Sequence, residues 1–227
     1  MTFTRYAIYF APPADADWTK FATNWLGWDM ETGSEAAHPV IDGIDVASVT
    51  ETPRKYGLHA TMKPPFRLYQ GRSVTQLQDA CAQLAASYAP ISLDGLEIAR
   101  LGRFLALRPH GNTGQLGELA AACVRDLDRF RAPATEDELA RRRAAGLSME
   151  QDANLTNWGY PYVLDSFRFH ITLSGKLDKP TLSSVQATLE THLGPLLPTP
   201  FRINDLALTG EADDGRFHLI HRYALSG

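Results

Sequence analysis

Phe167-Arg168-Phe169-His170-Ile171-Thr172-Leu173-Ser174 alternates strictly between apolar and polar side chains. In an extended strand successive side chains point to opposite faces, so Phe167, Phe169, Ile171 and Leu173 share one face and Arg168, His170, Thr172 and Ser174 the other. The polar face carries a cation, an imidazole and two hydroxyls in a row, groups suited to holding and protonating an oxyanion. The arrangement occurs once earlier, at Tyr56-Gly57-Leu58-His59-Ala60-Thr61-Met62-Lys63, where His59, Thr61 and Lys63 share a face opposite Tyr56, Leu58, Ala60 and Met62.

What flanks each strand also repeats. Arg5 to Ala11 reads as an aromatic and β-branched strand stopped by Pro12-Pro13, followed by a helix from about 15 to 26 with Gly27 beyond its end. After the first His-x-Thr strand, closed by Pro64-Pro65, Ser73 and Gln76 form a capping box for a helix whose stripe is Leu77, Ala80, Cys81, Leu84, Ala85 and Tyr88. A hairpin around Arg100-Leu101-Gly102-Arg103 follows. After the second His-x-Thr strand come a helix from about 181 to 193 and a hairpin around Glu211-Ala212-Asp213-Asp214-Gly215. The order of strand, helix, proline and hairpin thus occurs twice, which predicts an α+β fold of two related lobes. Their antiparallel sheets face a central cleft and the helices lie outside. The spacing predicts one bilobal domain over 1–227, with lobe one at about 1–110, lobe two at about 160–227 and a helical connection at about 112–158. In that connection Thr135 with Glu138 and Ser148 with Gln151 cap short helices. Arg141-Arg142-Arg143, beside Glu136, Asp137 and Glu138, reads as a solvated helix face.

The bulk numbers exclude some classes of partner. A chain of 227 residues with a net charge of −4 lacks the basic surface that a long nucleic acid usually requires, but a small anion in a locally basic pocket is compatible with it. Cys81 and Cys123 lie in Ala-rich helical stretches and read as buried apolar residues, not as a disulfide or zinc framework. The first ten residues hold no apolar core long enough for a signal peptide or a membrane span, so the expectation is a cytoplasmic protein without a membrane partner. A monomer is expected.

The paired motif suits phosphoester chemistry. Imidazole titrates near neutrality, so one copy can act as base while the other acts as acid. In-line cleavage of a P–O bond needs those roles on opposite sides of phosphorus, which facing strands would supply. The hydroxyls of Thr61 and Thr172 can donate to the non-bridging oxygens, and Lys63 and Arg168 would add positive charge. No metal or other cofactor is required, and His38, His110, His192, His218 and His221 show no ligand spacing with carboxylates. Lys63 either contacts phosphate or is solvated at its strand end. Arg168 either does the same or makes a cross-strand ion pair. Tyr160 and Tyr162 either line the cleft and stack on a base or sugar, or pack beneath the strand. Tyr6 and Tyr9 face opposite ways, so at most one reaches the cleft.

Two His-x-Thr motifs on repeated lobes resemble the two-histidine (2H) phosphoesterase superfamily. More narrowly, residues 5–12, 56–66, 158–163 (Trp158-Gly159-Tyr160-Pro161-Tyr162-Val163) and 167–173 look like a bacterial branch labelled a phosphonate-metabolism protein. Ser174 stands where that branch leads one to expect threonine, and a hydroxyl is kept. The resemblance implies a 2H fold, no metal, His59 and His170 as the acid/base pair, Thr61 and Thr172 as phosphate binders, and a small cyclic phosphate or nucleotide-like diester as substrate. The phosphonate label suggests a product of carbon–phosphorus cleavage such as a phosphoribosyl cyclic phosphate. Two alternatives stay open: processing of RNA 2′,3′-cyclic-phosphate or 2′–5′ ends, and a non-catalytic module that binds a nucleotide or phosphate. Neither the substrate nor the division of acid and base between the histidines is settled by sequence.

Overall fold

The computed structural model describes residues 2–227. Its strands are β1 (Arg5–Phe10), β2 (Trp28–Asp29), β3 (Ser34–Glu35), β4 (Ala60–Phe66), β5 (Ile91–Leu93), β6 (Gly95–Leu101), β7 (Phe104–His110), β8 (Ile171–Thr172), β9 (Phe201–Ile203), β10 (Asp205–Glu211) and β11 (Phe217–Ala224). The helices are α1 (Asp17–Leu26), α2 (Val46–Val49), α3 (Glu51–Arg54), α4 (Val74–Ala86), α5 (Gly114–Asp126), α6 (Glu136–Arg143), α7 (Met149–Trp158) and α8 (Lys179–His192). Each of the three expected capping boxes is present: Ser73 with Gln76, Thr135 with Glu138 and Ser148 with Gln151 exchange side-chain and backbone hydrogen bonds. Gly27 and Gly159 end α1 and α7 in the left-handed conformation, which costs a residue without Cβ little. No helix among the described residues is long and apolar enough to cross a membrane.

The fold is α+β and antiparallel, as the repeat predicts, but the two halves meet edge to edge. One seven-stranded sheet runs in the order β11-β10-β1-β4-β8-β7-β6. The two His-x-Thr segments are neighbours in it, joined through Ala60 and Ile171. The hairpins also cross over. β6–β7, from the first repeat, pairs with β8 of the second, while β10–β11, from the second, pairs with β1 of the first. The repeat-based bounds of 1–110 and 160–227 therefore do not coincide with the half-sheets. A strand segment carries its own two-residue period but not the identity of its neighbour, so the exchange is invisible in sequence. The helices follow the hairpins, α4 against β10 and β11 and α8 against β6 and β7. The short strands β5 and β9 pair with each other at Ile91–Ile203 and Leu93–Phe201, tying the two repeats together a second time.

Alternation sorts the sheet into two unlike faces. Tyr6, Ile8, Phe10, Ala60, Met62, Leu105, Leu107, Ile171, Leu173, Leu206 and Leu208 enter one large core beneath α1, α4, α5 and α8. On the opposite face a smaller cluster of Ala7, Tyr9, Ala11, Trp28, Met30, Ala207 and Phe217 gathers on the side of β2 and β3. The rest of that second face, uncovered by a helical layer, is where the site lies. Cys81 and Cys123 are buried free thiols in α4 and α5.

Two local departures matter for the site. Pro64-Pro65 does not close the first His-x-Thr strand: β4 runs through it to Phe66. The prolines sit in a bulge, where the register with β1 shifts between Tyr6–Phe66 and Ile8–Lys63. Proline is tolerated in a sheet at such bulges and edges, because its missing N–H is not needed there. The second motif is also less regular than its eight-residue alternation predicts, since only Ile171–Thr172 pairs as a strand and Leu164–Ser166 forms a 3-10 turn. Phe169, Ile171 and Leu173 still enter the core, so the alternation survives without a continuous ladder.

Trp25 supports this segment from below: it is fully buried, and its indole N–H donates to Leu173 O at 2.8 Å. Trp25→Phe strands that buried carbonyl and opens a void, so urea denaturation is expected to show a loss of about 2–4 kcal/mol. A loss below ~1 kcal/mol would mean that Leu173 O has another partner.

Candidate active site

In an antiparallel pair, directly opposed residues point to the same face. Ala60 and Ile171 are opposed and both enter the core. Their neighbours therefore emerge on the other face. Continued by one residue each way, the register sets His59 opposite Thr172 and Thr61 opposite His170. A cleft of about 400 Å³ opens over these four, all of which line it.

The two histidines are held alike. Nδ1 of His59 lies 3.0 Å from Gly57 O, and Nδ1 of His170 lies 2.7 Å from Arg168 O, in each case the carbonyl two residues back. A carbonyl can only accept, so this contact assigns a proton to Nδ1 and leaves Nε2 as the nitrogen not engaged by that carbonyl. Thr61 Oγ1 is 3.3 Å from His59 Nε2, which puts hydroxyl and imidazole at one spot.

The rings around His59 give it a distinct electrostatic state. Tyr9 lies against it with centroids 4.0 Å apart, and Tyr56 is 5.7 Å away. Burial among them lowers its pKa to about 4, partly opposed by the Gly57 carbonyl and assisted by the nearby His170. At neutral pH His59 is therefore an uncharged imidazole able to accept a proton. Tyr9 is itself buried, which raises its hydroxyl well above the usual phenol range and keeps it a donor. His170 packs more loosely, 6.0 Å from Phe104.

Not every expected binder reaches the cleft. Lys63 is buried on the helix side, where its Nζ donates to Val124 O at 2.9 Å and to Asp128 at 3.2 Å. The cause is a second irregularity in β4: Tyr9 pairs with Thr61 but Ile8 with Lys63. That extra residue turns Lys63 onto the face of Ile8, and burial lowers its pKa to about 8 despite Asp128. Arg168 is exposed and folds back to donate to Asp165 O and Phe167 O, making no cross-strand ion pair. Ser174 borders the cleft, but its hydroxyl accepts from Leu105 N and donates to Gly175 O, both at 2.9 Å. Tyr162 is exposed and does not line the cleft, whereas Tyr160 does.

The aromatic walls are Tyr9, Tyr56 and Tyr160, and the positive charge comes from residues outside the expected binders. Tyr9, not Tyr6, faces the cleft, and Arg5 beside it is paired with Glu211. Lys176 lies four residues past Thr172 on the same alternating face, so extending the pattern by two residues would have found it. Arg142 had no such signal. The run that reads as a solvated face divides its labour: Arg141 is exposed, Arg143 pairs with Asp152, and Arg142 turns into the cleft over the Tyr160 ring, 4.7 Å from its centroid. Among the described residues no three His, Cys, Asp or Glu side chains come together as a metal-ligand set.

The cleft thus joins a central pair of motifs on one sheet face to a wall of arginine and tyrosine side chains. Residues 61–218 match the DUF1045 family, described as a protein of unknown function, and the chain belongs to that family. It is 37% identical over 219 residues to a ribose 1,5-bisphosphate phosphokinase PhnN of Janthinobacterium sp. (strain Marseille), covering 93% of this chain and 48% of that protein. It is 34% identical over 211 residues to the PhnN of Laribacter hongkongensis (strain HLHK9), covering 93% and 49%. The chain thus spans about half the length of these relatives. Among solved structures it is similar to E. coli LigT complexed with 3′-AMP, with 15% identity, a TM-score of 0.46 and full coverage of both chains. TT0787 of Thermus thermophilus gives 17% identity, a TM-score of 0.45 and 98% coverage of both.

Two outcomes check the geometry. In an NMR titration the His59 ring is expected to stay neutral down to about pH 4. An unfolded histidine takes up its proton near pH 6.5, so between those values the unfolded chain binds more protons, and His59's share of stability falls as pH falls through that window. A His59 midpoint near 6.5 would show that the ring is not desolvated. Lys63→Met removes the cost of burying a charge while Asp128 keeps Arg131 at 2.7 Å. Because Val124 O loses its Nζ donor, the variant's urea midpoint is expected to fall by the equivalent of about 1–3 kcal/mol, with the His59 titration unaltered.

Proposed function

We propose that this chain is a phosphodiesterase that hydrolyses a cyclic phosphate or small phosphodiester by acid–base catalysis between His59 and His170. The observation that carries the reading is the matched pair of imidazoles. Each is oriented by a carbonyl on Nδ1, each directs Nε2 to one cleft, and each has a threonine two residues on. His59, kept neutral, takes the proton of the attacking water through Nε2 as the new P–O bond forms. His170 delivers a proton to the leaving oxygen as the old P–O bond breaks, and solvent exchange returns both rings to their starting states. Thr61 and Thr172 donate to the non-bridging oxygens, where charge builds in the transition state. Lys176 and Arg142 supply the positive field that the sequence pattern had assigned to Lys63 and Arg168.

The name of the curated relatives bears on the substrate more than on the reaction. The P-loop motif G-x-x-x-x-G-K-[S/T], by which one large class of kinases cradles nucleotide phosphates, does not occur in these 227 residues. The relatives are about twice as long, so we read the kinase name as belonging to the whole protein and the histidine pair as a separate diesterase activity. A ribose phosphate, as that name suggests, and a place in phosphonate catabolism are compatible with this cleft.

A hydrolysis screen across cyclic nucleotides, cyclic ribose phosphates and 2′–5′ dinucleotides, with EDTA throughout, tests the proposal. Turnover is expected to survive EDTA, because the two imidazoles supply both proton transfers. His59→Ala and His170→Ala are each expected to lower kcat by about 10²–10⁴-fold with unchanged circular dichroism. Full activity in either variant would sink the mechanism. Tight binding of a nucleotide without turnover by the parent protein would favour a binding module.

A further inference from the structure

The two histidines are oriented by the same contact but not by the same backbone. His170 takes its carbonyl from Arg168, which lies outside the left-handed region. His59 takes its carbonyl from Gly57, whose φ is +67°. Residues that carry a Cβ avoid that region. The chain needs it here because two elements meet in a short space. α3 ends at Arg54, and the turn beyond it is closed by Tyr56 N–H donating to Pro53 O and Gly57 N–H donating to Arg54 O, both at 3.0 Å. β4 begins at Ala60. A left-handed residue at the end of the helical turn redirects the chain into the strand.

Space is as restrictive as torsion. A Cβ on Gly57 would lie 3.1 Å from Met30 Cβ, 3.3 Å from Met30 Cγ and 3.5 Å from Met30 N. Met30 is buried, and its carbonyl accepts from Leu219 N at 2.7 Å. Two residues before Gly57, Lys55 O accepts from Phe217 N at 2.8 Å. Both neighbours of Gly57 are therefore fastened to β11, the strand at one edge of the sheet. A glycine held this way has one conformation, and that conformation sets the direction of its carbonyl.

We propose that Gly57 is a positioning residue for His59: its left-handed backbone aims the carbonyl that fixes the proton on Nδ1 and so presents an unprotonated Nε2 to the cleft. The inference rests on the diesterase reading and deepens it. Gly57 acts through the imidazole and undergoes no bond change itself. A neutral ring without that acceptor exchanges between its two tautomers and is free to turn, because the hydrogen bond at one nitrogen decides the state of the other. Only part of its population then offers Nε2 as a proton acceptor.

Nitrogen-15 NMR of the neutral rings, with steady-state kinetics on a cyclic phosphate, tests the proposal. In the parent protein the His59 proton is expected on Nδ1, and a proton on Nε2 overturns the proposal whatever the variants do. Gly57→Ala and Gly57→Asn bring the same Cβ to Met30, but asparagine tolerates the left-handed region better than alanine. Gly57→Ala is expected to mix the His59 tautomers and to lower kcat by about 10–100-fold with KM little changed. Gly57→Asn is expected to do both to a lesser degree, although its side chain is larger. His170 keeps the parent signature in each. Gly102→Ala, at φ +63° with nothing within 4 Å of the added Cβ, carries the same backbone strain away from the cleft. It is expected to leave both histidines and kcat as they were. A parent-like His59 in Gly57→Ala, a larger loss in Gly57→Asn than in Gly57→Ala, or an equal loss in Gly102→Ala overturns the proposal. If Gly57→Ala does not fold, Gly57→Asn decides: mixed tautomers at His59 alone sustain the proposal, and a parent-like His59 overturns it. If the parent protein hydrolyses no diester, the diesterase reading falls, and the tautomer measurements decide the positioning role by themselves.

Discussion

The pairing of Ala60 with Ile171 is the constraint on which the site depends. These are small and branched apolar residues, each set between a histidine and a threonine, and both are driven into the same core. Burying them on one face of an antiparallel pair leaves the flanking polar residues only the opposite face. Two motifs 111 positions apart are thereby laid side by side. Because the strands run antiparallel, each histidine comes to lie beside the other motif's threonine. The two halves of the sheet are joined there through a single register pair, because β8 comprises only Ile171–Thr172.

The electrostatics follow from which face is covered. The helix side is dry, and a cation that enters it must be paired, as Lys63 is by Asp128 and Val124 O. The other face carries only a small cluster around Tyr9 and Phe217, enough to desolvate His59 but not to close the cleft. His59 is neutral for that reason. Its counterpart has the same carbonyl on Nδ1 but a more open setting beside Phe104. Two residues alike in local conformation are thus given different surroundings.

Local signals were legible in the sequence and held. Each capping box involves residues three apart, so no distant contact could overrule it. The alternation at Phe169, Ile171 and Leu173 likewise reached the core intact. Signals that assume an unbroken period failed where the period broke. One inserted residue in β4 carried Lys63 through the sheet, and a chain reversing just before His170 left Arg168 bonded to its own backbone. Arg142 was invisible for another reason. Three consecutive arginines on a short, solvent-facing helix look alike, and what distinguishes the middle one is the position of α6 against Tyr160.

The sequence by itself determined that each motif presents its imidazole and hydroxyl together, because a two-residue spacing on an alternating strand sets both groups on one face. Tertiary structure decided the rest: that the strands are neighbours and not facing walls, that the hairpins are exchanged between the repeats, that His59 is the desolvated ring, and that Arg142 and Lys176, not Lys63 or Arg168, line the cleft. Each of these depends on which segments lie next to each other across the sheet. Strand pairing and desolvation are properties of neighbours far apart in the chain, and a sequence read along its length contains the period of a strand but not the partner it will find.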